Sequence, residues 1–182
     1  MSEVRIIGGQ WKRSKLPVPD APGLRPTSDR VRETLFNWLG QTLTGWRVLD
    51  AFAGSGALGF EAASRGADAV VMIEREAALA DGLRSSQRRL KATTITVHRA
   101  NALNWMTACA DRFDLIFLDP PFADALFDRA LAAAAPLLAE DGLIYVESPH
   151  AIAAPAGFTA WRQGRAGAVH YQLLRREDNQ AP

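Results

Sequence analysis

The stretch that most constrains the chain is Val48-Leu49-Asp50-Ala51-Phe52-Ala53-Gly54-Ser55-Gly56-Ala57-Leu58-Gly59. An apolar run ends on a carboxylate, passes through a glycine-rich turn and enters an alanine-rich amphipathic segment, which is the pattern of strand, tight loop and helix start. Glycine lets the backbone take positive φ and approach a ligand closely, and the helix that follows aims unpaired N–H groups at the loop. The stretch therefore predicts a ligand cradle at a strand end.

Two ligand classes suit such a cradle. Gly54, Gly56 and Gly59 satisfy the G-x-G-x-x-G spacing of dinucleotide-binding folds, and Glu74 stands about 20 residues on, where a ribose-binding acid is expected. Asp50 separates the two classes. At a strand end it faces the pyrophosphate of a dinucleotide with no cation nearby in sequence, whereas a cationic ligand reverses the sign of that interaction. Asp50-x-Phe52-x-Gly54-x-Gly56 resembles motif I of the AdoMet-dependent methyltransferases, whose ligand carries a sulfonium and an α-ammonium. That resemblance implies cofactor contacts at Asp50, Phe52, Gly54, Ser55 and Gly56.

With 182 residues the chain is long enough for one domain with a sizeable core and short for two. No apolar run approaches membrane-spanning length, and the opening Met-Ser-Glu-Val-Arg is unlike a signal peptide, so a cytoplasmic protein without a membrane partner is expected; that it acts as a monomer is a separate expectation. Cys109 is the one cysteine and has no internal partner. His98, His150 and His170 lack metal-ligand spacing, and no metal is expected.

The net charge of +1 hides an asymmetry. Residues 1–32 hold seven Lys/Arg against three Asp/Glu, which leaves the remainder mildly acidic. Such a front suits a polyanionic partner, although a solvated arm explains the charge equally well. Val4 to Ile7 reads as a short strand ended by Gly8-Gly9, and Trp11 stands among Lys12, Arg13 and Lys15, able to stack on a base or to cover apolar surface. Pro17, Pro19, Pro22 and Pro26 keep the arm extended without helix as far as Thr27. Thr27 or Ser28 then caps a helix whose apolar stripe is Val31, Leu35, Trp38 and Leu39, placing Arg30 and Arg32 toward polar surroundings.

Further along, Ala57–Arg65 reads as a helix stopped by Gly66, and Ala69–Ile73 as a buried strand ending on Glu74, whose carboxylate suits two ribose hydroxyls. Residues 76–91 form a helix, Thr94–His98 a strand, and Asn101 with Ala102 follows as a candidate adenine contact. Phe113–Leu118 is a strand apolar on both faces that runs into Asp119-Pro120-Pro121-Phe122. Open parallel sheets bind ligands beyond the carboxyl ends of their strands, so this loop is expected beside the glycine cradle. Leu143–Glu147 is a fifth strand after the turn Glu140-Asp141-Gly142, and Thr159–Arg165 with Ala168–Arg175 reads as a closing hairpin.

Asp119-Pro120-Pro121-Phe122 resembles the Asp/Asn-Pro-Pro-Phe/Tyr signature of methyltransferases acting on planar amino groups. An exocyclic amine is a poor nucleophile because its lone pair is delocalised. Asp119 and the Pro120 carbonyl can accept its two hydrogens and turn the lone pair toward a sulfonium methyl, Pro121 stiffens the loop, and Phe122 stacks on the ring. No histidine base or covalent intermediate is needed.

Adding the arm segments Arg5-Ile6-Ile7-Gly8-Gly9 and Leu24-Arg25-Pro26-Thr27-Ser28-Asp29-Arg30-Val31-Arg32-Glu33-Thr34-Leu35-Phe36, the sequence resembles the RsmD family of bacterial 16S rRNA guanine-N2 methyltransferases over nearly its whole length. The resemblance implies an α/β, doubly wound, Rossmann-like sheet of seven strands in the order 3-2-1-4-5-7-6 with the last antiparallel, preceded by an N-terminal extension. It implies a basic arm over 1–27, a methyltransferase domain over 28–176 and a tail over 177–182. AdoMet is the implied cofactor and S-adenosylhomocysteine the product. The implied partner is 16S rRNA, at guanine 966, in the 30S subunit or its assembly intermediate. Arg5, Trp11, Lys12, Arg13, Lys15, Arg25, Thr27, Arg30 and Arg32 are the candidate RNA contacts. An adenine-N6 or glutamine-N5 methyltransferase would use the same crevice. An NAD-linked oxidoreductase and a non-catalytic RNA-binding factor are the rivals of another class.

Overall fold

The computed structural model describes residues 2–121 and 124–177, with the side chains of 124 and 125 left aside. Two short strands open the chain, β1 (Ser2–Arg5) and β2 (Lys15–Val18), paired antiparallel so that Val4 faces Leu16. The first strand is expected from the sequence, whereas its prolines predict only an extended arm over 15–18, which the structure pairs as β2. Pro17 sits in β2 because a two-stranded ribbon leaves one edge unpaired, where a missing N–H costs nothing.

The main sheet contains β3 (Arg47–Asp50), β4 (Ala69–Glu74), β5 (Ile95–Arg99), β6 (Phe113–Leu118), β7 (Leu138–Ser148), β8 (Phe158–Ala166) and β9 (Val169–Arg176). Their spatial order is β5-β4-β3-β6-β7-β9-β8, with β9 antiparallel to both of its neighbours and every other adjacent pair parallel. Counted from β3, this is the expected 3-2-1-4-5-7-6 arrangement. β7 is longer than expected. Glu140-Asp141-Gly142 reads as a turn in sequence, yet it is absorbed inside the strand, where the register against β6 jumps from Phe113–Leu138 to Leu115–Leu143. The closing hairpin turns at Gly167, which has φ +58.

Helices α1 (Asp29–Trp38), α2 (Ala57–Ser64), α3 (Ala77–Leu90), α4 (Ala102–Ala108) and α5 (Asp124–Ala134) cover the sheet. Ser28 is the cap of α1, its Oγ accepting the Val31 N–H at 3.3 Å. Side chains on a strand alternate between faces, and here the alternation sorts the core into two layers. Val48, Leu115, Phe117, Leu143 and Tyr145 pack toward α1, α2, α3 and the N-terminal ribbon, whereas Leu49, Ile116, Leu118, Ile144 and Val146 pack toward α4 and α5. The same period carries Asp50, Glu74, Asp119 and Glu147 onto the first face at the strands' carboxyl ends.

The arm is bound to this face by a buried carboxylate. Glu61 on α2 accepts the N–H groups of Ile7 (3.0 Å) and Gly8 (2.9 Å), Arg32 Nη1 (3.1 Å) and Arg65 Nε (2.9 Å). Four donors fill the acceptor sites of the two oxygens. Gly8 and Gly9 are glycines because α2 passes so close: a Cβ on Gly9 would stand 1.9 Å from the Ser64 carbonyl oxygen, and one on Gly8 2.6 Å from the Arg65 guanidinium.

Candidate active site

Beyond the carboxyl ends of β3, β4, β6 and β7 lies a cavity of about 910 Å³. Its wall includes Phe52, Gly54 and Ser55 from the glycine loop, Glu74, the Asn101–Leu103 segment, Asp119-Pro120-Pro121 and Glu147. The glycine cradle and the proline loop thus share one cavity. Residues 19–27 of the arm supply another side of it, with Leu24 against Gly54. Phe122 lies outside the described residues.

Asp50 is placed differently from a direct ligand contact. It is buried and absent from the cavity wall, and its Oδ2 accepts the Gly59 N–H of α2 at 3.0 Å. Burial, with a smaller push from Glu74, raises its carboxyl to about 7 despite the stabilising Gly59 hydrogen bond. It braces the loop from behind. Gly56 also stands behind the loop; it has φ +82, and a Cβ there would meet Leu83 at 2.6 Å and Phe60 at 2.7 Å. Its glycine is required by the turn and by packing.

Glu74 is on the wall. Oε2 accepts the Gly54 N–H at 2.9 Å and Oε1 the Glu76 N–H at 2.8 Å, so the carboxylate is oriented and each oxygen keeps acceptor capacity for a vicinal diol. Asn101 caps α4 through Oδ1, which accepts the Asn104 N–H at 3.1 Å. Its oxygen is therefore engaged, and the amide's remaining contribution to a purine is as donor, together with the wall-forming Ala102.

Asp119 is half-buried, and its carboxylate accepts no hydrogen bond among the described residues. Burial and the neighbouring Glu147 and Asp50 carboxylates push its carboxyl well above the ordinary range. Glu147 is also pushed up by burial, against the opposing effect of the Tyr145 and Thr27 hydroxyls beside it. Sequence reasoning had Glu147 only as the end of a strand. Its signal is legible in retrospect, because β3, β4 and the β6 loop each close an apolar run with an acid in the same way.

The charged side chains of the wall are Asp20, Glu74, Glu76, Asp119 and Glu147 against Arg25 and Arg75. This acidic excess fits a cationic sulfonium ligand and disfavours a pyrophosphate. Together with the oriented diol acceptor at Glu74 and apolar Phe52, Ile73 and Leu103, it fits AdoMet by its donor and acceptor set. Among the described residues no cluster of three His, Cys, Asp or Glu could hold a metal ion.

The candidate RNA contacts divide. Arg5, Lys12, Arg13, Lys15, Arg25 and Arg30 are exposed, while Trp11 is half-buried against the core. Arg32 is a correction: its side chain is fully buried and donates to the Thr27 and Arg5 carbonyls, to Glu61 and to Asp29. An arginine at helical spacing from the apolar stripe looked polar-facing, but the arm folds over it. Thr27 is buried at the cavity wall beside Glu147.

A doubly wound sheet of this order, with a glycine loop and an Asp-Pro-Pro loop meeting at one acidic cavity, defines a class I AdoMet-dependent methyltransferase. Residues 4–175 match the family model described as Conserved hypothetical protein 95. The chain is 44% identical over 180 residues to ribosomal RNA small subunit methyltransferase D of Escherichia coli (strain K12), covering 96% of this chain and 91% of that one. It is 40% identical to the protein of the same name from Haemophilus influenzae, covering 94% and 93%. The solved structure of yhhF from Escherichia coli superposes with a TM-score of 0.87 at 43% identity, covering 97% and 99%. The chain belongs to this family, the RsmD family.

Proposed function

We propose that the protein transfers a methyl group from AdoMet to the exocyclic N2 of a guanine in 16S rRNA of the small ribosomal subunit, the position-966 guanine that the family resemblance points to. The observation that carries this reading is Asp119, a half-buried carboxylate on a proline-stiffened loop with acceptor capacity unused among the described residues. The relatives named for rRNA small subunit methylation support the RNA class of substrate.

Bound AdoMet supplies an electrophilic methyl on a sulfonium. Glu74, oriented by the Gly54 N–H, would hold its diol, and the glycine loop, braced by Asp50, would position the donor end. Asp119 and the Pro120 carbonyl accept the two N2 hydrogens, which aligns the nitrogen lone pair with the methyl. Transfer would form the C–N bond as the donor's S–C bond breaks. The alkylated nitrogen is cationic and strongly acidic, and its proton passes to Asp119 or to water. The raised pKa of Asp119 makes it a better acceptor for that proton than an ordinary carboxylate.

The exposed cations Arg5, Lys12, Arg13, Lys15, Arg25 and Arg30, with Trp11 beside them, serve the RNA backbone, and the protein acts as a cytoplasmic monomer. The target base leaves its stack to reach the cavity. Transfer of labelled methyl from AdoMet to unmodified 30S subunits, compared with naked 16S rRNA and with protein, tests the reading. Label in the RNA of the particle is expected; label only in protein would refute it.

A further inference from the structure

We propose that Glu147 selects guanine by accepting its N1–H while Asp119 and the Pro120 carbonyl hold the N2 amine; this rests on the guanine-N2 reading above. Leu118 of β6 pairs with Val146 of β7, so Asp119 and Glu147 are the next residues of adjacent parallel strands and share a face of the sheet. Both side chains line the cavity.

Glu147 is held in place from outside the cavity. The Tyr145 hydroxyl donates to Oε1 at 2.6 Å, and Thr27 of the arm stands beside the same carboxylate on the cavity wall. One donor leaves about three of a carboxylate's four acceptor sites open. No Lys or Arg forms a salt bridge with Asp119 or Glu147 among the described residues. Two neighbouring carboxylates without a cation between them call for a ligand edge that presents consecutive N–H donors.

Guanine has that edge, since N1–H adjoins the N2 amine. Adenine offers a similar amine beside an N1 lone pair, and an amide side chain offers one beside a carbonyl oxygen. Either would place a lone pair against the Glu147 carboxylate. A site built around a substrate N–H rejects the analogue lacking it more strongly than an apolar pocket rejects a shape difference. Asp119 therefore activates an amine of any kind, and Glu147 chooses which ring carries it. The arm borders this selection through Thr27, on the cavity wall beside Glu147.

The test is a cycle between enzyme and substrate. Small subunits are reconstituted on 16S rRNA carrying either guanine or 2-aminopurine at the target; the analogue keeps the N2 amine and replaces N1–H by a lone pair. Wild-type protein is expected to favour guanine by about 100-fold in kcat/KM, and Glu147→Gln to reduce that preference to within about 5-fold while slowing the guanine reaction. A wild-type preference below about 3-fold, which requires no variant, would overturn the proposal, as would a preference unchanged in a folded E147Q protein. If wild-type protein leaves guanine unmethylated and labels another base, the underlying guanine reading fails instead.

Discussion

Asp119 and Glu147 stand next to one another on the first face of the sheet, each immediately past a paired residue of β6 and β7, with only Glu147 held by a hydroxyl donor, that of Tyr145. The pair makes the far side of the cavity an acceptor surface. The near side, at Glu74 and the glycine loop, is acidic as well. The arrangement accommodates a cation and an amine, and it offers little to a phosphate.

Replacing Asp119 removes the amine acceptor while leaving the cofactor wall intact. Asp119→Ala is expected to lower methyl transfer by at least about 100-fold, with AdoMet and RNA affinities within about 3-fold of wild type. Single-turnover rates and equilibrium binding measured on the same samples check this.

The raised Asp119 carboxyl has a kinetic consequence. The free group binds its proton to a higher pH than an ordinary carboxylic acid, and the ionised form accepts the proton released on transfer. The single-turnover rate should climb with pH through an apparent pKa well above the ordinary carboxylate range. A profile flat from about pH 5 to 9 would exclude proton transfer to this group.

Asp50 couples stability to pH in the opposite sense from a salt-bridged acid. Its carboxyl is raised from 3.8 to about 7, so between those values the folded protein binds more protons than the unfolded chain. Stability is full below the lower value and falls as pH rises, by about 4 kcal/mol from this group. Asp50→Asn keeps an acceptor for Gly59 and removes the titration. The thermal midpoint of wild type should drop more steeply from about pH 4 to 7 than that of D50N.

Glu61 fixes the arm. Glu61→Ala removes the buried carboxylate partner of Arg32, leaving it only the exposed Asp29, and frees the Ile7 and Gly8 N–H groups, a loss of about 3–5 kcal/mol. Chemical denaturation measures the loss, and proteolysis near Gly8 and Gly9 should accelerate.

The same network separates two kinds of arginine. Arg32→Ala is expected to destabilise the fold, whereas Arg13→Ala and Lys12→Ala leave stability within about 0.5 kcal/mol. Each of the latter should weaken RNA binding and lower the slope of log affinity against log salt by about 1. Unchanged RNA affinity in both exposed variants would remove the arm from the RNA interface.

How far the sequence reaches is plain from particular residues. The strands, the meeting of the glycine and proline loops, and Glu74 on the cavity wall follow from apolar runs that end on an acid or a turn, while the strand order follows from the family resemblance. What escapes is long-range. Nothing local shows that Glu61, 53 residues from Gly8, would bury Arg32 under the arm, or that a turn-like Glu140-Asp141-Gly142 would be carried inside a strand. Asp50 was legible as an acid at a strand end; its position behind the loop depends on α2 offering the Gly59 N–H, which only the packed structure supplies. Thr27 reads as a helix cap in sequence and comes to stand beside Glu147 on the cavity wall only through the folding of the arm.

The most direct test of the account is the chemical identity of the product. Small subunits methylated with labelled AdoMet are digested to nucleosides and separated. The account predicts label in N2-methylguanosine, absent when Asp119→Ala protein is used. Label in N6-methyladenosine, or undiminished N2-methylguanosine with the D119A protein, would contradict it.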